Sequence, residues 1–238
     1  MTTFTPMPGV TMSKATSKRD FTLPDHSDAE IARAKRILTA LRKEYPDAHC
    51  ELDFTSPLEL LVATILSAQA TDVGVNKATP ALFAAFPDAA AYAASSPESI
   101  EPFIKTIGLF RNKAKSVHAA ATMIVDQFDG AVPNTMPELL QLRGVARKTA
   151  NVVLGNAFGL NMGVVVDTHV MRISQRFGLT EYSDAPKIEK DLMALFPRPH
   201  WTLLSHLMIF HGRRACKARG AMCAEHQICR KFCSNAKT

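Results

Sequence analysis

The chain has 238 residues, 47% of them hydrophobic, which is enough to form one large domain or two small domains with a buried core. Its formal net charge of +6 fits a polyanionic partner, although charge alone does not identify nucleic acid. No apolar run reaches the roughly 18 residues of a membrane span, and the N-terminus lacks the apolar core of a signal peptide. We therefore expect a cytoplasmic protein.

The predicted elements are helices from the first ordered residue onward. Residues 1–27 are rich in Thr, Ser and Pro and lack a core-forming pattern, so we expect a disordered arm. Three capping boxes then predict helix starts, at Ser27–Glu30, Ser56–Glu59 and Thr135–Glu138. Apolar residues follow at helical spacing, and almost no segment alternates with a period of two. The fold class is predicted to be all-α.

A polar cluster, Ser67–Asp72, follows directly after a strongly apolar helix. One interpretation is a loop in which Thr71 or Asp72 caps the next helix. The other is the rim of a binding pocket, since polar side chains next to a buried helix are unusual.

Further along the chain, Gly108 is expected to end a helix and to leave Leu109 exposed in a loop, before the basic residues Arg111 and Lys113. Leu109 is equally compatible with ordinary core packing, so the sequence alone does not decide whether its side chain is exposed.

The most informative stretch is Leu142–Leu154, a tight turn with Gly144 that runs into a helix starting at Arg147. Such a helix start exposes unpaired backbone N–H groups that suit a phosphate, and Arg143 and Arg147 add positive charge. Lys148 lies in the first helical turn, which is unfavourable for a cation with respect to the helix dipole. This position favours the neutral amine, the form that attacks carbon, although a lone helical lysine is usually only solvated.

An acidic residue, Asp167, follows the apolar run Val164–Val166 and precedes Thr168 and His169. On its own this pattern predicts an N-cap for the next helix.

Four of the five cysteines crowd into the C-terminal region, at Cys216, Cys223, Cys229 and Cys233. In a reducing compartment these thiols indicate a metal or cluster site rather than disulfides. None of them forms the Cys-x2-Cys pair that is usual for zinc, whereas a four-thiolate [4Fe–4S] cluster tolerates longer loops. The fifth cysteine, Cys50, stands alone.

Taken together, the hairpin with Lys148, the Val-Asp-Thr-His stretch, the polar segment and the four cysteines resemble the endonuclease III family of helix–hairpin–helix DNA glycosylases. The similarity covers roughly residues 29–233. It implies two helical lobes with a DNA cleft between them. One lobe is a six-helix domain with the helix–hairpin–helix at 50–160, and the other is an iron–sulfur cluster domain made of 28–49 and 161–238.

The resemblance also implies roles for individual residues. Lys148 would be the nucleophile and Asp167 its catalytic partner, either helping to deprotonate the lysine or stabilising positive charge on the sugar. Gln69 would fill the gap left by an extruded nucleotide, and Leu109 would wedge into the duplex. The remaining residues would line the lesion pocket (Ser67, Thr71 and Asp72), bind DNA (Arg143, Gly144, Val145, Ala146, Arg147 and His169) or hold a [4Fe–4S] cluster (Cys216, Cys223, Cys229 and Cys233).

The sequence departs from the family pattern in two places. The cysteine spacings are x6, x5 and x3, where the family has x6, x2 and x5, and His226 stands where the third cysteine is expected. Either Cys229 or His226 is then the third ligand, and we favour Cys229 because thiolate is the commoner ligand. In the hairpin, Arg143 replaces a proline and Ala146 replaces a glycine, so Ala146 needs a backbone angle that a Cβ tolerates.

The resemblance implies a monomeric bifunctional DNA glycosylase and AP lyase of base excision repair, acting on oxidised pyrimidines in duplex DNA of a bacterial nucleoid. An adenine-specific monofunctional glycosylase is the nearest alternative, but that relative lacks the lysine. A non-enzymatic, metal-stabilised DNA-binding module would explain the charge and the cysteines but not the lysine and aspartate.

Overall fold

A computed structural model describes residues 22–233, which divide into two compact units. Unit 1 is the continuous segment 50–160, and unit 2 joins residues 22–49 to residues 161–233. Over this described range the chain contains helices and no strand, which confirms the predicted all-α class. Most of the arm predicted at 1–27 lies outside the described residues.

Twelve α-helices form between residues 22 and 233. In chain order they are α1 (Asp28–Glu44), α2 (Pro57–Ser67), α3 (Asp72–Ala85), α4 (Ala89–Ala93), α5 (Pro97–Ile104), α6 (Phe110–Gln127), α7 (Met136–Leu139), α8 (Arg147–Ala157), α9 (Thr168–Arg176), α10 (Ala185–Leu195), α11 (Trp201–Arg214) and α12 (Gln227–Phe232). A single 3-10 turn, Arg198–His200, precedes α11. None of these helices is both long enough and apolar enough to cross a membrane.

Helix α2 is the centre of unit 1. It begins with Ser56 as N-cap and Pro57 in the first turn. A backbone N–H in this turn has no acceptor within the helix, so proline, which lacks the N–H, loses no hydrogen bond there. Its side chains are buried almost without interruption, and the helix packs against α3, α6 and α8. The capping box predicted here forms only in part, because the Glu59 carboxylate accepts from Thr55 instead of from the N–H of Ser56.

Unit 2 is built on α1, which packs against α10, α11 and α12. The capping box at its start is complete, with Ser27 and Glu30 bonded in both directions, as predicted. Ile37 and Leu41 are fully buried in the core of this unit. The guanidinium of Arg33 donates to the carbonyl oxygen of Phe232 at 2.9 Å and so ties the first helix to the last.

Two details correct the sequence-based expectations. Helix α5 ends at Ile104 instead of at Gly108, and Gly108 is not among the residues with a positive φ. The helix predicted from Thr135 is only the short α7, so the first arm of the hairpin has just over one turn. The Thr135 box forms only in part, because the Thr135 hydroxyl accepts from the N–H of Glu138, whereas the Glu138 carboxylate accepts from that hydroxyl instead of from the N–H of Thr135.

Candidate active site and cysteine-rich centre

The turn between α7 and α8 is tight and is fixed by its backbone. The N–H of Val145 donates to the carbonyl oxygen of Leu142 at 3.1 Å, and the Val145 side chain is buried. Gly144 has φ +85°, and a Cβ at this position would lie 3.0 Å from the Cβ of Ser116. Glycine is required here because of both the backbone angle and the close approach of α6.

Helix α8 begins with an N-cap that offers no side-chain acceptor. This N-cap is Ala146, with φ −93° and ψ 171°, an extended conformation that any residue adopts, so the replacement of glycine is tolerated. The first-turn N–H groups therefore have no capping side chain, which leaves a partial positive charge at the turn. Lys148 is exposed in this first turn, Arg143 is exposed just before it, and Arg147 is half-buried.

The polar segment after α2 forms a second exposed turn of unit 1. Gln69 is exposed and has φ 54°, a left-handed conformation that is uncommon and strained for a residue with a Cβ. Thr71 caps α3 by accepting from the N–H of Gly74 at 3.1 Å, which confirms the capping interpretation for this residue. Ser67 lies at the end of α2, and Asp72 is half-buried at the start of α3.

Leu109 is the N-cap of α6 and combines two unusual properties. Its side chain is 57% exposed, and its φ of 60° again lies in the left-handed region. The sequence left exposure and core packing equally open, and the structure decides for exposure. An apolar side chain held out on a strained backbone is more typical of a functional site than of a packing site.

In unit 2, Asp167 caps α9, as predicted. Its Oδ1 accepts from the N–H of His169 at 2.9 Å and from that of Val170 at 2.8 Å. Within residues 22–233 no hydrogen bond reaches the other carboxylate oxygen, Oδ2. The segment before Asp167 is anchored by a buried bond of 3.0 Å from the N–H of Val165 to the hydroxyl of Ser205.

The four C-terminal cysteines converge in unit 2. The sulfur atoms of Cys216 and Cys229 lie within 4.8 Å of each other, and Cys223 and Cys233 are near enough for each thiol to affect the pKa of the other. Cys216, Cys229 and Cys233 are almost fully buried. The hydrogen bond with Cys229 lowers the pKa of Cys216 to about 6 against the opposing effect of burial, and Arg176 donates to the same sulfur at 3.2 Å.

Two histidines lie beside these thiols, in different roles. The Nε2 of His226 is 3.3 Å from the Glu44 carboxylate, and its Nδ1 accepts from the N–H of Ile228, so both ring nitrogens are engaged away from the thiols. His211, in contrast, has its Nε2 3.4 Å from the sulfur of Cys229 and its Nδ1 2.9 Å from the hydroxyl of Tyr45.

The ligand atoms of His211, Cys216 and Cys229 lie within 4.8 Å of one another. His211 could not be predicted as a member of this cluster, because no spacing rule relates it to the cysteines. Its place on the last turns of α11, just before Cys216, is visible only in the structure. The donor set suits a thiolate-bound metal or cluster, since soft sulfur ligands dominate it.

The candidate residues therefore fall into two groups by unit. Unit 1 carries the polar segment, Leu109, the hairpin and Lys148, whereas unit 2 carries Asp167, His169 and the cysteines.

Comparison with known proteins identifies the family. A model of the HhH-GPD superfamily of base excision DNA repair proteins matches residues 62–198. The chain is 56% identical to the Endonuclease III of Synechocystis sp. over 82% of its length and 90% of that relative. It is 44% identical to the Endonuclease III of Bacillus subtilis, over 76% of the chain and 83% of that relative.

Solved structures agree with the sequence relatives. A trapped endonuclease III–DNA covalent intermediate superposes with a TM-score of 0.82 at 41% identity, covering 87% of this chain and 97% of that one. The chain belongs to the endonuclease III family, within the HhH-GPD superfamily of base excision DNA repair proteins.

Proposed function

We propose that this base excision DNA glycosylase and AP lyase removes oxidised pyrimidines from duplex DNA through a Schiff base on Lys148. The observation that carries the proposal is the exposed lysine in the first turn of α8, directly after the Gly144 turn and beside an N-cap without a side-chain acceptor. The similarity to an endonuclease III that was trapped covalently on DNA supports a covalent route.

DNA would be held by its backbone and read by the exposed turns of unit 1. The N–H groups of Gly144 and Ala146 would bind a phosphate, and Arg143 and Arg147 would add to its neutralisation. Val145 would contribute by anchoring the turn, since its own N–H is used within it. His169 would donate to the DNA backbone from unit 2.

The target nucleotide must leave the stack, because its sugar is otherwise out of reach. The exposed, left-handed Leu109 and Gln69 support roles as a wedge and as a filler of the vacated space. Ser67, Thr71 and Asp72, which surround the Gln69 turn, would line the pocket for the extruded base.

The reaction would begin when the neutral amine of Lys148 attacks C1′ of the sugar. The C–N bond to the base breaks, and the base leaves with the bonding electrons. The lysine nitrogen then loses a proton, and its lone pair forms the C1′=N bond of an iminium as the C1′–O4′ bond breaks and O4′ takes up a proton. The iminium makes the C2′ proton acidic, and loss of that proton expels the 3′ phosphate by β-elimination. Asp167 would stabilise the positive charge that develops on the sugar, since its Oδ1 is held by two N–H groups while Oδ2 remains available.

The cysteine-rich centre would hold a [4Fe–4S] cluster on Cys216, Cys223, Cys229 and Cys233. The proximity of the Cys216 and Cys229 sulfur atoms supports this set, and the engagement of His226 with Glu44 argues for Cys229 as the third ligand. When bound, the cluster would cross-link the loop between α11 and α12. Iron and sulfide analysis of anaerobically purified protein tests this assignment, and zinc without iron would contradict it.

The experiment that tests the reaction is borohydride trapping on a duplex with one thymine glycol. We expect a covalent adduct with the unmodified protein and none with Lys148→Gln. Lys187→Gln is a matched control, since Lys187 is likewise an exposed first-turn lysine, in α10, and should still be trapped. Base release without an adduct would mean a monofunctional glycosylase. If the protein binds the duplex but neither releases the base nor forms an adduct, the proposed substrate is wrong. In a bacterial cell the enzyme would work on the nucleoid in the cytoplasm.

A further inference from the structure

His211 is a buried histidine to which neither the proposed reaction nor the proposed set of cluster ligands assigns a role. It lies in the last turn of α11, and its side chain has no exposed surface. Its carbonyl oxygen accepts from the backbone N–H groups of Ala215, at 2.9 Å, and of Cys216, at 2.8 Å. The end of one helix therefore fixes the backbone of this histidine relative to the first of the four cysteines.

Each ring nitrogen of His211 contacts a polar group from a different helix. Nδ1 lies 2.9 Å from the hydroxyl of Tyr45, which is the C-cap of α1. Nε2 lies 3.4 Å from the sulfur of Cys229, in α12. Both partners are buried, so the loss of either contact would leave a polar group without water to replace the lost partner.

Three aromatic rings hold the imidazole of His211 in its plane. The ring centroids of Phe177, Tyr45 and His226 lie 5.5, 5.8 and 5.2 Å from its own. These separations are typical of aromatic side chains in contact. Packed in this way, the imidazole has little freedom to turn Nε2 away from the sulfur of Cys229.

The chemistry of a thiolate ligand sets the direction of the contact with Cys229. A sulfur that binds iron carries no proton, so it can only accept, and the proton of the hydrogen bond must lie on Nε2 of His211. This holds whether the imidazole is neutral or protonated. In the neutral ring Nδ1 then accepts, and the hydroxyl of Tyr45 supplies the donor that it needs.

We propose that His211 is a positioning residue for the cysteine-rich centre, which donates a hydrogen bond from Nε2 to the Cys229 thiolate and does not itself bind iron. The inference rests on the proposed [4Fe–4S] cluster, whose ligand set is already complete with four thiolates. A hydrogen bond to a ligand sulfur withdraws electron density from it and favours the reduced, more negative cluster. The reduction potential is therefore raised by His211.

The first measurement is pulsed EPR on frozen holoenzyme with ¹⁵N-labelled histidine, after reduction by γ-irradiation. A nitrogen bound to iron couples strongly to the unpaired electron, whereas a nitrogen that only donates to a ligand sulfur couples weakly. The chain has eight histidines, so the coupling is assigned by its loss in His211→Gln. We expect a weak coupling that is lost in this variant. His226→Gln is the control, since it removes the other histidine beside the thiols, and it should keep the coupling.

The second measurement is the reduction potential by protein-film voltammetry. His211→Asn keeps an amide near the place of Nδ1 but has no donor that reaches the sulfur, whereas His211→Gln keeps a donor near the place of Nε2. His211→Asn should lower the equilibrium constant for one-electron reduction by about tenfold, which corresponds to about 59 mV, and His211→Gln should restore part of this loss. Equal iron content in all variants excludes loss of the cluster as the cause.

The outcomes separate this inference from the proposed cluster. A strong coupling from His211 would make it an iron ligand and overturns the donor role, as does the absence of any coupling assigned to it. Equal potentials in the unmodified protein and His211→Asn overturn it as well. If His211→Asn does not retain iron, the coupling decides alone, because His211→Gln is sufficient to assign it. Unmodified protein without iron would overturn the cluster and, with it, this inference.

Discussion

Two features of Gly144 disfavour a larger side chain at this position, namely its backbone angle and its close contact with α6, and substitution with alanine tests both. In Gly144→Ala the new side chain must adopt φ +85° and must also meet the Cβ of Ser116 at 3.0 Å. The left-handed backbone costs about 1–2 kcal/mol for a residue with a Cβ. The contact forces the hairpin away from α6 and adds about 1 kcal/mol, the lower end of overpacking costs. We expect a total loss of stability of about 2–3 kcal/mol.

Gly130→Ala is the matched control for the backbone term. Gly130 belongs to the same unit, has φ +77°, and has nothing within 4 Å of the position that a Cβ would take. It should therefore lose only about 1–2 kcal/mol. The double variant Gly144→Ala, Ser116→Gly should relieve the contact, but it adds about 1 kcal/mol for a glycine within a helix.

The assay is thermal unfolding together with DNA affinity. For a chain of this size each kcal/mol corresponds to a shift in Tm of about 2–4 °C. Gly144→Ala should therefore melt below Gly130→Ala, and only Gly144→Ala should weaken DNA binding, since only this turn lies next to the proposed phosphate site. Equal melting temperatures of the two variants would refute the contact argument. Equal DNA affinities would refute the placement of the phosphate.

Three further predictions concern other residues. Asp167→Asn should keep the cap of α9 and the stability of the protein but lose activity. Asp167→Ala should lose activity and also about 1 kcal/mol of stability, measured by thermal melting. A fully active Asp167→Asn variant would contradict the need for the negative charge. Leu109→Gly should raise the stability, because it relieves the φ of 60°, and should slow base excision; a Tm below that of the unmodified protein would contradict the strain. Burial raises the pKa of the Cys50 thiol to about 11, so little of it is thiolate at mildly alkaline pH. Its alkylation should therefore be roughly a hundredfold slower than that of a free cysteine, and urea should remove the difference. Mass spectrometry measures both alkylation rates.

Local rules predicted the helix starts and the all-α class well, because short-range chemistry determines them. The Ser27 box forms completely, the Thr135 hydroxyl accepts from the expected N–H of Glu138, and Asp167 caps α9. The same rules were wrong where another local partner competes. The Glu59 carboxylate accepts from Thr55 instead of from the N–H of Ser56. The helix expected to run to Gly108 ends at Ile104.

Contacts between residues distant in sequence could not be predicted. The cysteine spacings alone left Cys229 and His226 as alternatives, and the contact of His226 with Glu44, which bears on that choice, is visible only in the folded chain. Arg172 looks like an ordinary helical arginine in the sequence, since its partners at Gly212 and Cys216 are some forty residues away. Side-chain geometry of this kind depends on how α9 packs against α11.

The discontinuous composition of unit 2 also affects how the chain folds during synthesis. Helix α1 leaves the ribosome first, yet the residues that cover Ile37 and Leu41 are translated only after the whole of unit 1. At about 5–20 residues per second this delay is on the order of ten seconds. Unit 1, which is continuous, has every residue that it needs before residue 161 is translated. A nascent chain stalled at that point would carry one complete unit and one exposed apolar helix, and this is the stage at which a chaperone would find a binding site.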